Sequence, residues 1–214
     1  MSDERLRELE RRWKETGSTE DEAAYLRERL RVGDLPLDRV ELAAEAAYPA
    51  ALLVVGRPAE SQLAPEQVTQ LLERVVEQTS DECLLRLWAA DCAERWLTHF
   101  EARHPDDDAA REAIRRARDF AQGRLSAGAM REAGLRVFAV AQRDAREMAT
   151  DDAAARAASA AMGAWAATVT EPFGVRAVVS EEPWADFAPA ERHWQLRRLV
   201  ARLLHGSIDL PTSQ

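Results

Sequence analysis

The sequence contains only two cysteines, Cys83 and Cys92, and both stand among apolar neighbours. A disulfide framework requires several cysteines spaced through loops, so oxidative stabilisation is not expected. We therefore predict that both cysteines are small core residues of a protein kept in the reducing cytosol. A chain of 214 residues with 46% apolar content can bury a core without covalent staples.

Long apolar runs are also missing, since no segment approaches the roughly 20 apolar residues of a membrane-spanning helix. The uncharged segment 157–170 is mostly alanine, which is too weakly apolar to hold a helix in lipid. Charges at Asp3, Glu4 and Arg5 occupy positions where a signal peptide would have its apolar core. These patterns predict a cytoplasmic protein with no membrane partner.

Basic clusters and ligand motifs are equally scarce. The chain has 38 acidic against 29 basic residues and a net charge of −9, and no Lys/Arg cluster interleaves with aromatics. Nucleic acid is therefore a poor partner. No glycine-rich phosphate loop follows a strand pattern, and no two histidines have the i, i+4 spacing of paired metal ligands. We expect no metal and no cofactor. The histidines are His99, His104, His193 and His205.

Helical periodicity is abundant. After Pro65, apolar residues recur at i, i+3, i+4, i+7 and i+8, at Val68, Leu71, Leu72, Val75 and Val76. Thr19 with Glu22, and Thr79 with Glu82, match the capping box and predict two helix starts. No sustained alternation indicates a strand. The pattern predicts an all-α fold.

Glycines and prolines divide the helices into hairpins. We predict about eight to ten helices, in a helical bundle or a short α-solenoid, and the sequence leaves this choice open. Segment 56–61 contains the clearest break. We expect an N-terminal helical segment over 1–56, a candidate docking module, and a helical domain over 63–206. The polar stretch 207–214 is expected to be a mobile tail.

Three carboxylates, Asp91, Glu94 and Glu101, share one flank of the helix predicted over about residues 81–102. Paired carboxylates can perform acid–base chemistry when a pocket raises the pKa of one of them. They can equally accept salt bridges, and we favour this structural role. The arginines considered as partners are Arg86, Arg95 and Arg118. No catalytic residue is assigned.

The segment Leu87–Arg95, with sequence LWAADCAER, and the residues that follow it resemble a known family. The signature residues are Trp88, Asp91, Cys92, Glu94, Phe100, Glu101 and Arg118. Their pattern resembles that of the immunity-protein-five-like family of bacterial polymorphic toxin systems, and the resemblance is strongest over residues 84–123. Within the alanine-rich helix the chain departs from the family, because Ser159, Met162 and Trp165 stand among the alanines. The resemblance implies a helical protein that binds a cognate toxin and performs no catalysis.

Acidic helix starts provide candidate contacts with such a partner, because they complement a basic toxin surface. Duty as helix caps explains the same residues equally well. Trp184, one of the aromatic residues of the irregular stretch 171–189, is added to them. The candidate partner-binding residues are Asp106, Asp107, Asp108, Glu181, Glu182 and Trp184.

Three functions fit these observations. The first is a non-catalytic module for protein binding, a cytosolic immunity protein that neutralises a cognate bacterial toxin. The second is a helical adaptor or scaffold in a bacterial signalling or defence assembly, which predicts self-association or several partners. The third is an enzyme, which requires a pocket with a raised carboxyl pKa. We favour the first, and the oligomeric state stays open.

Overall fold

The computed structural model describes residues 2–59, 63–146, 152–169 and 189–206. Ten α-helices occupy most of these residues, and no strand occurs among them. The helices are α1 (Ser2–Thr16), α2 (Thr19–Val32), α3 (Leu37–Glu45), α4 (Pro49–Val54), α5 (Pro65–Gln78), α6 (Glu82–Arg103), α7 (Ala109–Ala121), α8 (Ala127–Ala145), α9 (Asp152–Thr168) and α10 (Pro189–His205). The predicted all-α class is confirmed.

The helix starts differ in detail from the predicted capping boxes. Ser18 precedes α2 in extended conformation, and its hydroxyl accepts a hydrogen bond from the Asp21 N–H. Asp81 caps α6 in the same way through the Leu84 N–H. Thr79 instead donates its hydroxyl to the Val75 carbonyl. The boxes predicted at Thr19 and Thr79 were wrong, because an extended residue with a short acceptor side chain lies closer to the unpaired N–H groups.

Contacts divide the described residues into two compact units. The first contains those up to Leu71 and those from Arg192 onward. Within it, α1 packs on α2, and α4 packs on both α2 and α3. Its fully buried side chains include Leu26, Leu52 and Leu199. Part of α10 thus belongs to the same compact unit as the N-terminal helices.

The second unit, Leu72–Glu191, is a helical bundle around α6. Every residue of Leu84–Ala93 is buried, because α7 and α9 pack against this helix. Both α7 and α8 also pack on α9. The alanines of α9 are small enough to let its neighbours approach closely. Over its first half α6 is therefore covered on all sides, and not on the single apolar side that its sequence pattern indicates.

Two predictions about organisation are not tested by these contacts. The division into 1–56 and 63–206 concerns segments that could fold separately, and it stays a prediction. The predicted mobile tail, 207–214, lies outside the described residues. Within the described ranges, no helix combines the length and the hydropathy that a membrane span requires.

Gly134 marks a close approach between α8 and α9. A Cβ at this position would lie 2.2 Å from Thr168 Oγ1 and 3.1 Å from Thr168 Cβ. The Thr168 hydroxyl donates a 2.6 Å hydrogen bond to the Trp165 carbonyl, so it cannot rotate away without losing that bond. Only a residue without a side chain fits here.

Replacement of this glycine tests the packing. Gly134→Ala is expected to lower the free energy of unfolding by about 1–3 kcal/mol, the usual cost of overpacking. Gly128→Ala is the matched control, because it lies on the same helix and its Cβ would meet open space. The control is expected to raise the free energy of unfolding, by up to about 1 kcal/mol. Chemical denaturation measures both, and equal effects would contradict the close approach.

Candidate functional site

Arg118 on α7 connects two of the signature carboxylates of α6. Its Nη2 lies 2.9 Å from Asp91 Oδ1 and 2.7 Å from Glu94 Oε2, and its Nη1 lies 2.9 Å from Glu94 Oε1. The Asp91 side chain is only 2% exposed, whereas Glu94 faces solvent. The hydrogen bonds that Arg118 donates to Glu94, and then those to the Asp91 carboxylate, raise the pKa of the Arg118 guanidinium. This trio fixes α7 against α6.

The third carboxylate, Glu101, forms an ion pair with Arg111, also on α7. The arginines considered from the sequence behave differently from one another. Arg118 binds the signature carboxylates, but Arg95 pairs with Glu191 at 2.9 Å, and Arg86 donates to backbone carbonyls. All three carboxylates therefore bind guanidinium groups, through Arg118 and Arg111.

The remaining signature residues lie in the core of the second unit. Trp88, Cys92 and Phe100 are buried, and Phe100 is completely covered. Cys83 is exposed, so the prediction that both cysteines are core residues was wrong for it. It lies in the first turn of α6, before the buried stretch begins at Leu84. The apolar signature residues thus build the scaffold of this unit.

Arg86, considered from the sequence as a partner of the signature carboxylates, is instead a buried cation that binds backbone carbonyls. Its Nη1 donates to the Ala167 carbonyl at 2.8 Å and to the Val169 carbonyl at 2.7 Å, at the end of α9. Its guanidinium lies 5.0 Å from the centre of the Phe120 ring. Burial lowers the pKa of Arg86. The guanidinium satisfies C-terminal helix carbonyls, a favourable position for positive charge.

His104 joins the end of α6 to α8 through a buried carboxylate. Its Nε2 lies 2.7 Å from Asp144 Oδ2, and Asp144 is nearly completely buried. Arg143 approaches the other ring nitrogen, Nδ1, at 3.3 Å. An arginine can only donate, so Nδ1 accepts this hydrogen bond. Nε2 therefore carries the ring proton and donates the hydrogen bond to Asp144. Both nitrogens are therefore engaged, and the arrangement fits a positioning role better than proton transfer.

The predicted partner contacts are placed only in part. Asp107 Oδ1 accepts a 2.9 Å hydrogen bond from the Ala109 N–H, and Asp108 pairs with Arg136 of α8 at 2.9 Å. Asp106 is exposed and binds no described residue. The other predicted contacts, Glu181, Glu182 and Trp184, lie outside the described residues. In the part of the chain that the structure describes, no group of three or more metal-ligating side chains occurs.

Glu112 on α7 binds two arginines of its own helix. Its carboxylate accepts hydrogen bonds from Arg115 at 2.8 and 2.9 Å and from Arg116 at 2.6 Å. The two bonds from Arg115, and then the bond from Arg116, outweigh the effect of burial and lower the pKa of Glu112 from 4.5 to about 2. The ionised form of Glu112 is therefore favoured in the folded state.

This shift predicts an acid-dependent loss of stability. A depressed carboxyl pKa stabilises the fold above the unfolded-state value of 4.5, and the contribution disappears as pH falls toward about 2. Glu112→Gln is therefore expected to be less stable than the parent chain near neutral pH, with the difference shrinking in acid. Thermal unfolding across this pH range measures it. A difference independent of pH would assign the loss to packing.

A family model described as Imm-5 like putative immunity protein matches residues 75–202. The matched residues include the Arg118 trio, the buried Arg86 and all of α8. No curated protein and no solved structure matches the chain. Because the matched segment makes up more than half of the sequence, the chain belongs to the Imm-5 like putative immunity protein family.

Proposed function

We propose that the chain is a non-catalytic immunity protein that neutralises a cognate toxin by binding it. The family match over residues 75–202 carries this proposal. The toxin would belong to a bacterial polymorphic toxin system, and the immunity protein would act in the cytoplasm of the producing cell. Binding of this kind gains affinity from a scaffold that is ordered before the partner arrives. The Arg118 trio and the fully buried half of α6 fit such a scaffold.

The state of the signature carboxylates supports binding over catalysis. A carboxyl group that acts in acid–base catalysis must reach the substrate. The three signature carboxylates instead bind guanidinium groups of α7. Asp91 and Glu94 share Arg118, and Glu101 has Arg111. These pairs favour a structural role for all three.

The acidic start of α7 is a proposed contact with a basic region of the toxin. Asp106 is the best placed of the three aspartates, because Asp107 accepts a hydrogen bond from the Ala109 N–H and Asp108 already pairs with Arg136. From their sequence alone, Glu181, Glu182 and Trp184 are proposed to extend the contact surface. Charge complementarity of this kind chiefly accelerates association.

An adaptor or scaffold protein is the second candidate. The observation that favours it is the first compact unit, whose helices α1–α4 precede the family match. These four helices lie outside the matched segment and can serve a second partner without any toxin. Such a protein would bind several members of an assembly and would protect no cell.

Co-expression distinguishes the two functions. The product of a neighbouring gene that arrests growth when expressed alone is expressed again together with this chain. We expect growth to recover, and a coexpressed Gly134→Ala variant to protect less well at high temperature because its fold is weaker. Recovery of a stable complex without rescue of growth would favour the adaptor. If the chain neither restores growth nor forms a complex, the toxin-binding proposal is rejected for that gene product.

A further inference from the structure

The outer face of α8 differs in charge from the chain as a whole. Leu135 is 64% exposed, the largest fraction among the described large apolar side chains. The exposed charged positions of α8 and its C-cap comprise four arginines and one glutamate, namely Arg131, Glu132, Arg136, Arg143 and Arg146. This face is therefore cationic, although the net charge of the chain is −9.

An apolar patch lies on the same helix. Phe138 follows Leu135 by three residues, so the two side chains share a side of α8. The half-buried Phe138 ring lies 4.9 Å from the ring of Trp165 on α9. Gly134 permits the close approach of α9 that brings these rings together. We call Leu135, Phe138 and Trp165 the α8 patch. Aromatic side chains are enriched in the cores of protein interfaces, as arginines are.

Two arginines of this face are available to a partner. Arg136 pairs with Asp108, and Arg143 approaches His104. The exposed Arg131 and Arg146 side chains form no ion pair with a described residue. Arg131 lies one helical turn before Leu135, so its charge borders the apolar patch. A guanidinium in this position can hold a carboxylate through two parallel hydrogen bonds.

We infer that the α8 patch, with Arg131 and Arg146, is a docking surface for an acidic face of the toxin that presents an apolar side chain. The inference rests on the proposed function and names the surface that performs it. Phosphate groups would satisfy the arginines but would gain nothing from covering Leu135. A protein partner satisfies both the charge and the apolar surface. The charge of this surface is opposite to that of the contact proposed at Asp106 on the start of α7.

Charge insertion at Leu135 tests the surface. The growth-arresting protein from the co-expression experiment serves as the probe, and its Kd for each purified variant is measured by calorimetry. Leu135→Glu is expected to weaken binding at least about 30-fold, as a central interface residue does. Arg131→Glu is expected to weaken it about 10-fold and to reduce its dependence on salt. Leu37→Glu is the matched control, because Leu37 is 55% exposed in the other unit, and its Kd should stay unchanged.

The outcomes separate this surface from the function itself. If the parent chain protects cells, and Leu135→Glu binds the toxin as tightly as Leu37→Glu does, the docking surface is overturned and the immunity function stays intact. No protection and no binding by the parent chain would overturn both. Binding of duplex DNA that Arg131→Glu abolishes, with toxin binding unchanged, would assign the face to nucleic acid and overturn the inference. Thermal unfolding of each variant confirms that it is folded, and Arg131→Glu gives a second measure at an exposed position.

Discussion

Replacement of Arg118 by methionine is expected to lower the free energy of unfolding by about 3 kcal/mol, the usual cost of removing one partner of a buried ion pair. Asp91 is only 2% exposed, so its carboxyl group would stay buried without the guanidinium 2.9 Å away. Methionine retains much of the apolar stem, which isolates the effect of the charge. Chemical denaturation at neutral pH measures the loss.

Arg115→Met provides the matched control. Arg115 lies on the same helix and also binds two carboxylates, but its side chain is 60% exposed. Exposed pairs contribute about 1 kcal/mol or less, so the control should lose little stability. A double variant of Arg118→Met with Asp91→Asn should recover part of the loss, because the buried charge is then removed as well. Equal losses at Arg118 and Arg115 would show that Asp91 does not depend on Arg118.

His205→Ala is expected to destabilise the first unit by about 3 kcal/mol, from a large-to-small change and a lost hydrogen bond to a carboxylate. The His205 ring stacks 4.3 Å from Trp13, and its Nε2 lies 2.6 Å from Glu22 Oε1. Tyr48 donates its hydroxyl to the same oxygen at 2.7 Å. The alanine would leave a cavity beside Trp13 and would remove one partner of the buried Glu22.

The same helix supplies a control for this variant. His193 is half-buried and approaches the Leu63 carbonyl at 3.2 Å, so His193→Ala should cost about 1 kcal/mol or less. Limited proteolysis adds a second measure, because loosening of the first unit should expose sites in α1 and α2 before those in α6. Equal stability of the two alanine variants would show that the stacked histidine does not hold this unit together.

The fold class was predictable because its signals are local. The apolar repeat after Pro65 defines α5, and glycines with positive φ end the helices where the sequence indicates, as at Gly33 and Gly123. Exact helix starts were less predictable. Ser18 and Asp81, and not the threonines near them, are the N-cap residues because of their backbone conformation. The residue pattern alone does not specify that conformation.

The partners of buried charges could not be read from spacing along one helix. Asp91 and Glu94 meet Arg118 only because α7 folds back on α6, and the sequence did not distinguish Arg118 from the other arginines considered. Arg86 carried a usable signal, because an arginine inside a nearly apolar stretch must find buried acceptors. Which carbonyls it binds depends on where α9 ends.

Surface charge was the other property that composition concealed. A net charge of −9 favours an acidic contact surface, yet the exposed side of α8 is rich in arginine. That these arginines share the exposed side of α8 can be recognised only once its buried side, with Met130 and Val137, is known. The exposure of Leu135 could likewise not be predicted, because from the sequence alone this leucine could equally be a core residue.

The central claim, neutralisation by direct binding, is tested most directly by titrating the toxin's own activity with the purified chain. We expect the toxin's activity to fall as the chain is added and to disappear when the chain is in excess, while Leu135→Glu inhibits only at much higher concentration. Full toxin activity in the presence of excess folded parent chain would contradict the account.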